Sequence, residues 1–137
     1  MLEQFLNTLA ADLELDSPVR EEGGLYKLSL SPELVIVLKE QDPGIAFWGK
    51  IGPCPTVKKE ELFILLMKAN FLGQGTGGAV IALDEDGNFL TLSSILPYDM
   101  NYKVFKDALE DFVNYIDYWK EELIRHKKTA EDGILGN

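Results

Sequence analysis

The segment from Leu66 to Trp119 constrains the fold of this chain most, because its hydrophobic period changes from helical to alternating and back without filler. It reads LMKANFLGQGTGGAVIALDEDGNFLTLSSILPYDMNYKVFKDALEDFVNYIDYW. Gly73 stops an apolar helix, and a Gly-rich loop leads to Gly78. Ala79 to Leu83 and Phe89 to Leu96 then read as a hairpin, with Asp84-Glu85-Asp86-Gly87-Asn88 supplying the positive φ angles of its connection. Pro97 closes the second strand. Beyond it, Val104, Phe105, Ala108, Leu109, Phe112, Ile116, Trp119 and Leu123 recur at three- and four-residue steps, which predicts an amphipathic helix. The pattern lapses from Lys127, so residues 127–137 are expected to form a frayed tail after a single domain of residues 1–126.

The N-terminal half supplies the rest of an α+β chain. Leu2, Phe5, Leu6, Leu9, Ala10 and Leu13 lie on one stripe of a first helix, which Asp16-Ser17-Pro18 ends. Tyr26, Leu28 and Leu30 alternate with Lys27 and Ser29, Ser31-Pro32-Glu33 turns the chain, and Leu34 to Leu38 forms a β-branched run. After the turn Gln41-Asp42-Pro43-Gly44, Ile45 to Ile51 reads as a third strand. Thr56 is the expected N-cap of a second helix from about Val57 to Phe71. The predicted order is α-β-β-β-α-β-β-α.

Three parts of this pattern resemble the class I type III secretion chaperones, the Tir-chaperone-like family. They are Ala69-Asn70-Phe71-Leu72, then Gly77-Gly78 opening a strand before the turn Asp84-Glu85-Asp86-Gly87, and Leu90-x-Leu92 followed by a helix carrying Trp119. The resemblance implies a twisted antiparallel sheet flanked by helices, in a homodimer formed through the second helix. It implies a cytoplasmic bacterial protein that holds the N-terminal region of secreted effectors in a non-globular, secretion-competent form. Effectors are then the partners, with the secretion-system ATPase as a further one. Candidate effector-binding residues are Phe5 and Leu9 on the first helix and Val35, Val37, Phe47 and Trp48 on the strands.

Charge narrows the function classes independently. Thirteen basic against 23 acidic residues give a net charge of −10, which repels nucleic acid and anionic membrane. The longest aliphatic or aromatic run, Leu62 to Met67, is too short to span a bilayer, and Arg20 is the first basic residue, so neither membrane insertion nor a signal peptide is expected. The single cysteine, Cys54, stands between Pro53 and Pro55 and reads as a turn residue.

No residue constellation points to catalysis. Gly73 to Gly78 has the glycines of a phosphate cradle but the wrong order, since a helix C-terminus leads in and a strand leads out, with no Lys-Ser/Thr pair following. Asp84 to Asn88 fails as a calcium loop, because Gly87 comes too early and Ile95 stands where a bidentate Glu would close the loop. His126 is expected as a solvated residue near a helix end, where its cation meets the dipole. Glu110-Asp111 and Glu121-Glu122 fall on solvated helix faces. The chain is therefore expected to be no enzyme and to need neither cofactor nor metal; a nucleotide-using enzyme ranks below an adaptor domain of the same fold acting on a folded partner.

The second helix exceeds what one core requires. Leu62 to Met67 turns through more than a full helical turn without a polar residue, more apolar surface than one small sheet covers. Leu62, Phe63, Leu65, Leu66 and Met67 are accordingly the candidate dimer interface.

Overall fold

A computed structural model describes residues 1–135, with side chains described through Asp132. Helix α1 (Leu2–Asp12) leads into a meander of β1 (Leu25–Ser31), β2 (Leu34–Gln41) and β3 (Gly44–Pro53). Helix α2 (Lys59–Asn70), the hairpin of β4 (Val80–Leu83) and β5 (Phe89–Leu96), and the long α3 (Tyr102–Leu135) follow. The element order matches the expectation. All pairings are antiparallel and the sheet runs β1-β2-β3-β5-β4, so the hairpin returns its second strand to the centre and leaves β4 at an edge.

One face of the sheet carries the core. Tyr26, Leu28, Ile36, Leu38, Ile45, Phe47 and Leu92 point to this face, where the stripe Phe105, Leu109, Phe112, Ile116, Trp119 and Leu123 of α3 covers them. The helix lies so close that a Cβ on Gly49 would sit 2.7 Å from Ile116 Cδ1. Phe47 packs its ring against Phe105 and Phe112 at 6.1 and 5.5 Å between centroids, separations typical of favourable aromatic pairs.

Helix α1 joins the same layer. Leu2, Leu6 and Leu9 are buried, and the Phe5 ring stacks on Phe105 at 5.2 Å. At its far end the Tyr102 hydroxyl donates to Asp12 over 2.9 Å, and burial followed by this anionic acceptor pushes the Tyr102 pKa up to about 12. At its start, Glu40 of β2 accepts the Leu2 backbone N–H at 2.7 Å and pairs with the Met1 ammonium at 3.3 Å. A carboxylate thus satisfies one of the orphan donors of the first turn. The Leu2 N–H, opposed by burial and aided by the ammonium, holds the Glu40 carboxyl below its ordinary value of 4.5.

Two boundaries and one side chain depart from the sequence pattern. Helix α2 begins at Lys59 rather than Val57, and Thr56 does not cap it; Lys58 adopts a left-handed φ of 51° instead. The cause is tertiary, because the Val57 carbonyl is turned to His126 Nε2 at 3.0 Å. His126 is therefore half-buried and tethers two elements, in place of the solvated residue expected. Finally, α3 continues through Lys127 to Leu135 instead of fraying: Lys127, Lys128 and Glu131 are good helix formers, and Ala130 is buried beside Lys58 and Leu65. Residues 136 and 137 of the expected tail lie outside the described residues.

Gly49→Ala should destabilise the protein by about 1–3 kcal/mol, because the added methyl meets packed side chains; urea unfolding followed by circular dichroism measures it. Glu40 has the opposite pH logic to a basic group. Its folded pKa is depressed, so its contribution is present above 4.5 and disappears as pH falls through the folded value. Glu40→Gln should lower the urea midpoint at neutral pH, and the gap from wild type should close in acid.

Candidate functional site

Among the described residues, two surfaces outside the core gather exposed apolar side chains on one element or face. The first is on α2. Leu62, Leu66 and Ala69, at i, i+4 and i+7, are buried against the chain's own core, so Leu62 and Leu66 are not free to form an interface as expected. Leu65 and Met67 are exposed and Phe63 is half-buried. Three residues outside the expected set extend the patch: Ile64, Phe71 and Leu72, with Met67 73% and Leu72 81% exposed. The sequence signal for them was the apolar run itself, which contains Ile64, and the Phe71-Leu72 pair just before Gly73.

The loop after α2 fixes how this patch is presented. Asn70 donates from Nδ2 to the Ile81 carbonyl and accepts the Ile81 N–H, both at 2.8 Å, so its amide replaces a neighbouring strand at the edge of β4. This is a physical reason for an asparagine in Ala69-Asn70-Phe71-Leu72. Gly75 N–H donates to the Ala69 carbonyl at 2.9 Å, and the Gly75 carbonyl accepts Trp119 Nε1–H at 3.0 Å. Thr76 is buried, its hydroxyl donating to the Ala79 carbonyl, and Gly77, at φ 64°, lies against the Tyr115 ring, leaving no room for a Cβ. These loop groups are spent within the fold, and the Gly-rich segment works as a fastener between α2, β4 and α3.

The second surface is the sheet face opposite α3. Register places Lys27, Val37, Trp48, Ser93 and Val80 side by side in one row across all five strands. Val35 stands opposite Ser29, and Lys39 lies between Leu25 and Ala46. Val35, Val80 and Ile95 are exposed; Val37 and Trp48 are half-buried. Among the sequence candidates, Val35, Val37 and Trp48 thus share this face.

The other candidates do not join them. Phe47, 2% exposed, has the opposite strand parity and belongs to the core, which corrects its assignment to a groove. Leu9 is also buried, yet it borders a groove of about 350 Å³ between α1 and α3 with Leu13, Leu30, Leu109 and Val113. Phe5 is half-buried under the Tyr102 and Phe105 rings. Cys54 is half-buried, its thiol directed at the Pro55 carbonyl, and borders an apolar cleft beside Leu123 and Ile124. Among the described residues, no group of three or more His, Cys, Asp or Glu is placed to hold a metal ion, and no helix is long and apolar enough to cross a membrane.

The sheet edges also differ. On β4, the Ile81 backbone groups are occupied by Asn70. On β1, Arg20 bridges Tyr26 and Glu21 N–H donates to the Leu25 carbonyl at 2.7 Å, which covers only the start of the strand.

This architecture has known counterparts. A protein of Chlamydia pneumoniae is 28% identical over 127 residues, spanning 90% of this chain and 96% of its own length. A chain of the ExsC-ExsE complex superimposes with a TM-score of 0.75 at 15% identity, over 89% of this chain and 92% of that one. A chain from the complex of the Yersinia pestis type III secretion chaperone SycH with a stable fragment of YscM2 gives 0.64 at 18% identity, over 86% and 98%. At these identities the superpositions speak for the fold. The model of the Tir chaperone protein (CesT) family matches residues 4–120, from α1 through the Trp119 turn of α3, and the chain belongs to that family.

Proposed function

We propose that this protein is a cytoplasmic chaperone of a type III secretion system that binds the N-terminal chaperone-binding region of a secreted effector and keeps it extended, acting as a homodimer and without catalysis. The observation that carries this reading is the sheet face around Val37 and Trp48, which lies opposite α1 and α3 and exposes Val35, Val80 and Ile95 among the described residues. Membership of the Tir chaperone family supports it. So does the similarity to a SycH complex, in which a type III secretion chaperone holds a fragment of another protein.

The physics of such a task needs no nucleotide. A disordered segment gains affinity from backbone hydrogen bonds to a sheet edge and from apolar side chains set into grooves, offset by the entropy of ordering it. The edge of β1 beyond Lys27 and the groove beside Leu9 are available, whereas the Asn70 amide blocks part of β4. The α2 patch supports the dimer. Leu65, Met67, Phe71 and Leu72 crowd one exposed stretch, and burying it against a second copy would remove several large apolar side chains from water, each worth about 1.5–3 kcal/mol when fully buried.

Light scattering should return twice the 15.4 kDa chain mass at micromolar concentration. Leu65→Asp and Met67→Asp should give folded monomers, whereas Leu66→Asp should unfold, because it puts a carboxylate into the core. A monomeric wild type would remove the dimer from this account.

Effector binding is tested by limited proteolysis: the N-terminal segment of the effector should resist cleavage only in the presence of this protein. Trp48→Glu should weaken that complex about tenfold, roughly 1.4 kcal/mol, with the unfolding midpoint unchanged. A partner equally resistant alone would instead indicate an adaptor acting on a folded domain.

A further inference from the structure

The uncovered sheet face has a charge opposite to that of the protein. The chain carries −10, with 23 acidic and 13 basic residues. Its five strands nevertheless hold three lysines, Lys27, Lys39 and Lys50, and a single carboxylate. That carboxylate, Glu40, has the opposite strand parity to Lys39 and is bound to the start of α1. All three lysines take the outward parity, shared with Val37 and Trp48. Only Lys27 has a carboxylate partner among the described residues, Glu21 at 3.4 Å. Lys50 lies over the Phe89 ring at 4.3 Å, a contact that leaves its charge unneutralised.

The spacing of the free lysines is informative. Lys39 pairs with Ala46, and Lys50 follows Ala46 by four residues on β3, so the two lie about 13 Å apart along the strand direction. Val37 and Trp48 fill the gap between them. A segment lying over this face therefore meets an ammonium, an apolar patch of three or four residues' length, and a second ammonium.

Resting on the chaperone reading, we infer that the segment held over this face is an acidic one: a short run with apolar side chains at its centre, seated on Val37 and Trp48, flanked on both sides by Asp or Glu that pair with Lys39 and Lys50. Basic segments are rejected by the same two charges. Selection of this kind suits a binder that must tell its client from other unfolded chains, because unpaired like charges exclude wrong partners more effectively than apolar contact does.

The test uses fluorescein-labelled nine-residue peptides with three leucines at alternate central positions and two glutamates at each end, together with counterparts carrying glutamine or lysine at those four places. The glutamate peptide should bind the full-length protein about tenfold more tightly than the lysine peptide, with affinity falling as salt rises. Binding should change the emission of Trp48, since Trp119 is only 4% exposed, and Trp48→Phe should remove that change. The double variant Lys39→Glu, Lys50→Glu should reverse the preference in favour of the lysine peptide, whereas Lys128→Glu on α3 should not. Equal affinity for all three peptides would overturn the acidic class, while effector protection from proteolysis, measured separately, would still stand as the test of the chaperone reading. No peptide response at Trp48, or displacement of the peptide by a single-stranded oligonucleotide in preference to an acidic segment, would overturn the assignment of this face.

Discussion

The rest of the structure depends on the close approach of α3 to β3 at Gly49. Removing the side chain there lets Ile116 and Phe112 reach the sheet, and the helix stripe from Phe105 to Leu123 then closes the core along its length. Protein interiors are packed to the density of organic crystals, so a missing Cβ at one position sets the separation of two whole elements. Phe47 exploits that separation by bridging Phe105 and Phe112, and α1 adds Phe5 to the same aromatic cluster.

Once α3 is fixed, it orders the loop and, through the loop, α2. Trp119 holds the Gly75 carbonyl, Gly75 holds Ala69, and Asn70 holds both backbone groups of Ile81. At the other end of α2, His126 holds the Val57 carbonyl. A helix with little amphipathic character of its own acquires a defined orientation from polar contacts at its two ends, and the consequence is an apolar patch turned outward. Backbone groups that would be left unpaired at an open edge or a helix terminus are the same groups used as fasteners.

Covering the sheet on one side only has a functional corollary. An antiparallel sheet tolerates solvent on its second face when that face is polar, yet here Val35, Val37, Trp48 and Ile95 are interspersed with serine and lysine. The charge pattern separates by layer: the acidic excess resides on helices and loops, whereas the strands carry three lysines against one glutamate. The acidic helices and loops thereby flank a sheet face of different sign and polarity.

The sequence by itself determined the elements and their order, because hydrophobic periods of two and of three to four residues are local properties that glycine and proline punctuate. The strands from Tyr26 to Leu96 and the α3 stripe were legible in that way, as was the place of Gly73 to Gly78 as the connection between α2 and β4. Period alone also separates the faces of a strand, but not which face is buried: Phe47 and Trp48 are adjacent aromatics, and only the approach of α3 decided that Phe47 enters the core and Trp48 does not. The same limit applied to Leu62 and Leu66 against Leu65 and Met67, since an all-apolar helix turn carries no sign of its inward side. Long-range polar contacts had no sequence signature at all. His126 to Val57 shortened α2 at its start, and burial of Ala130 extended α3, through groups 69 positions apart in one case and a second helix's flank in the other. Local propensity wrote the elements; packing between distant segments chose their faces and ends.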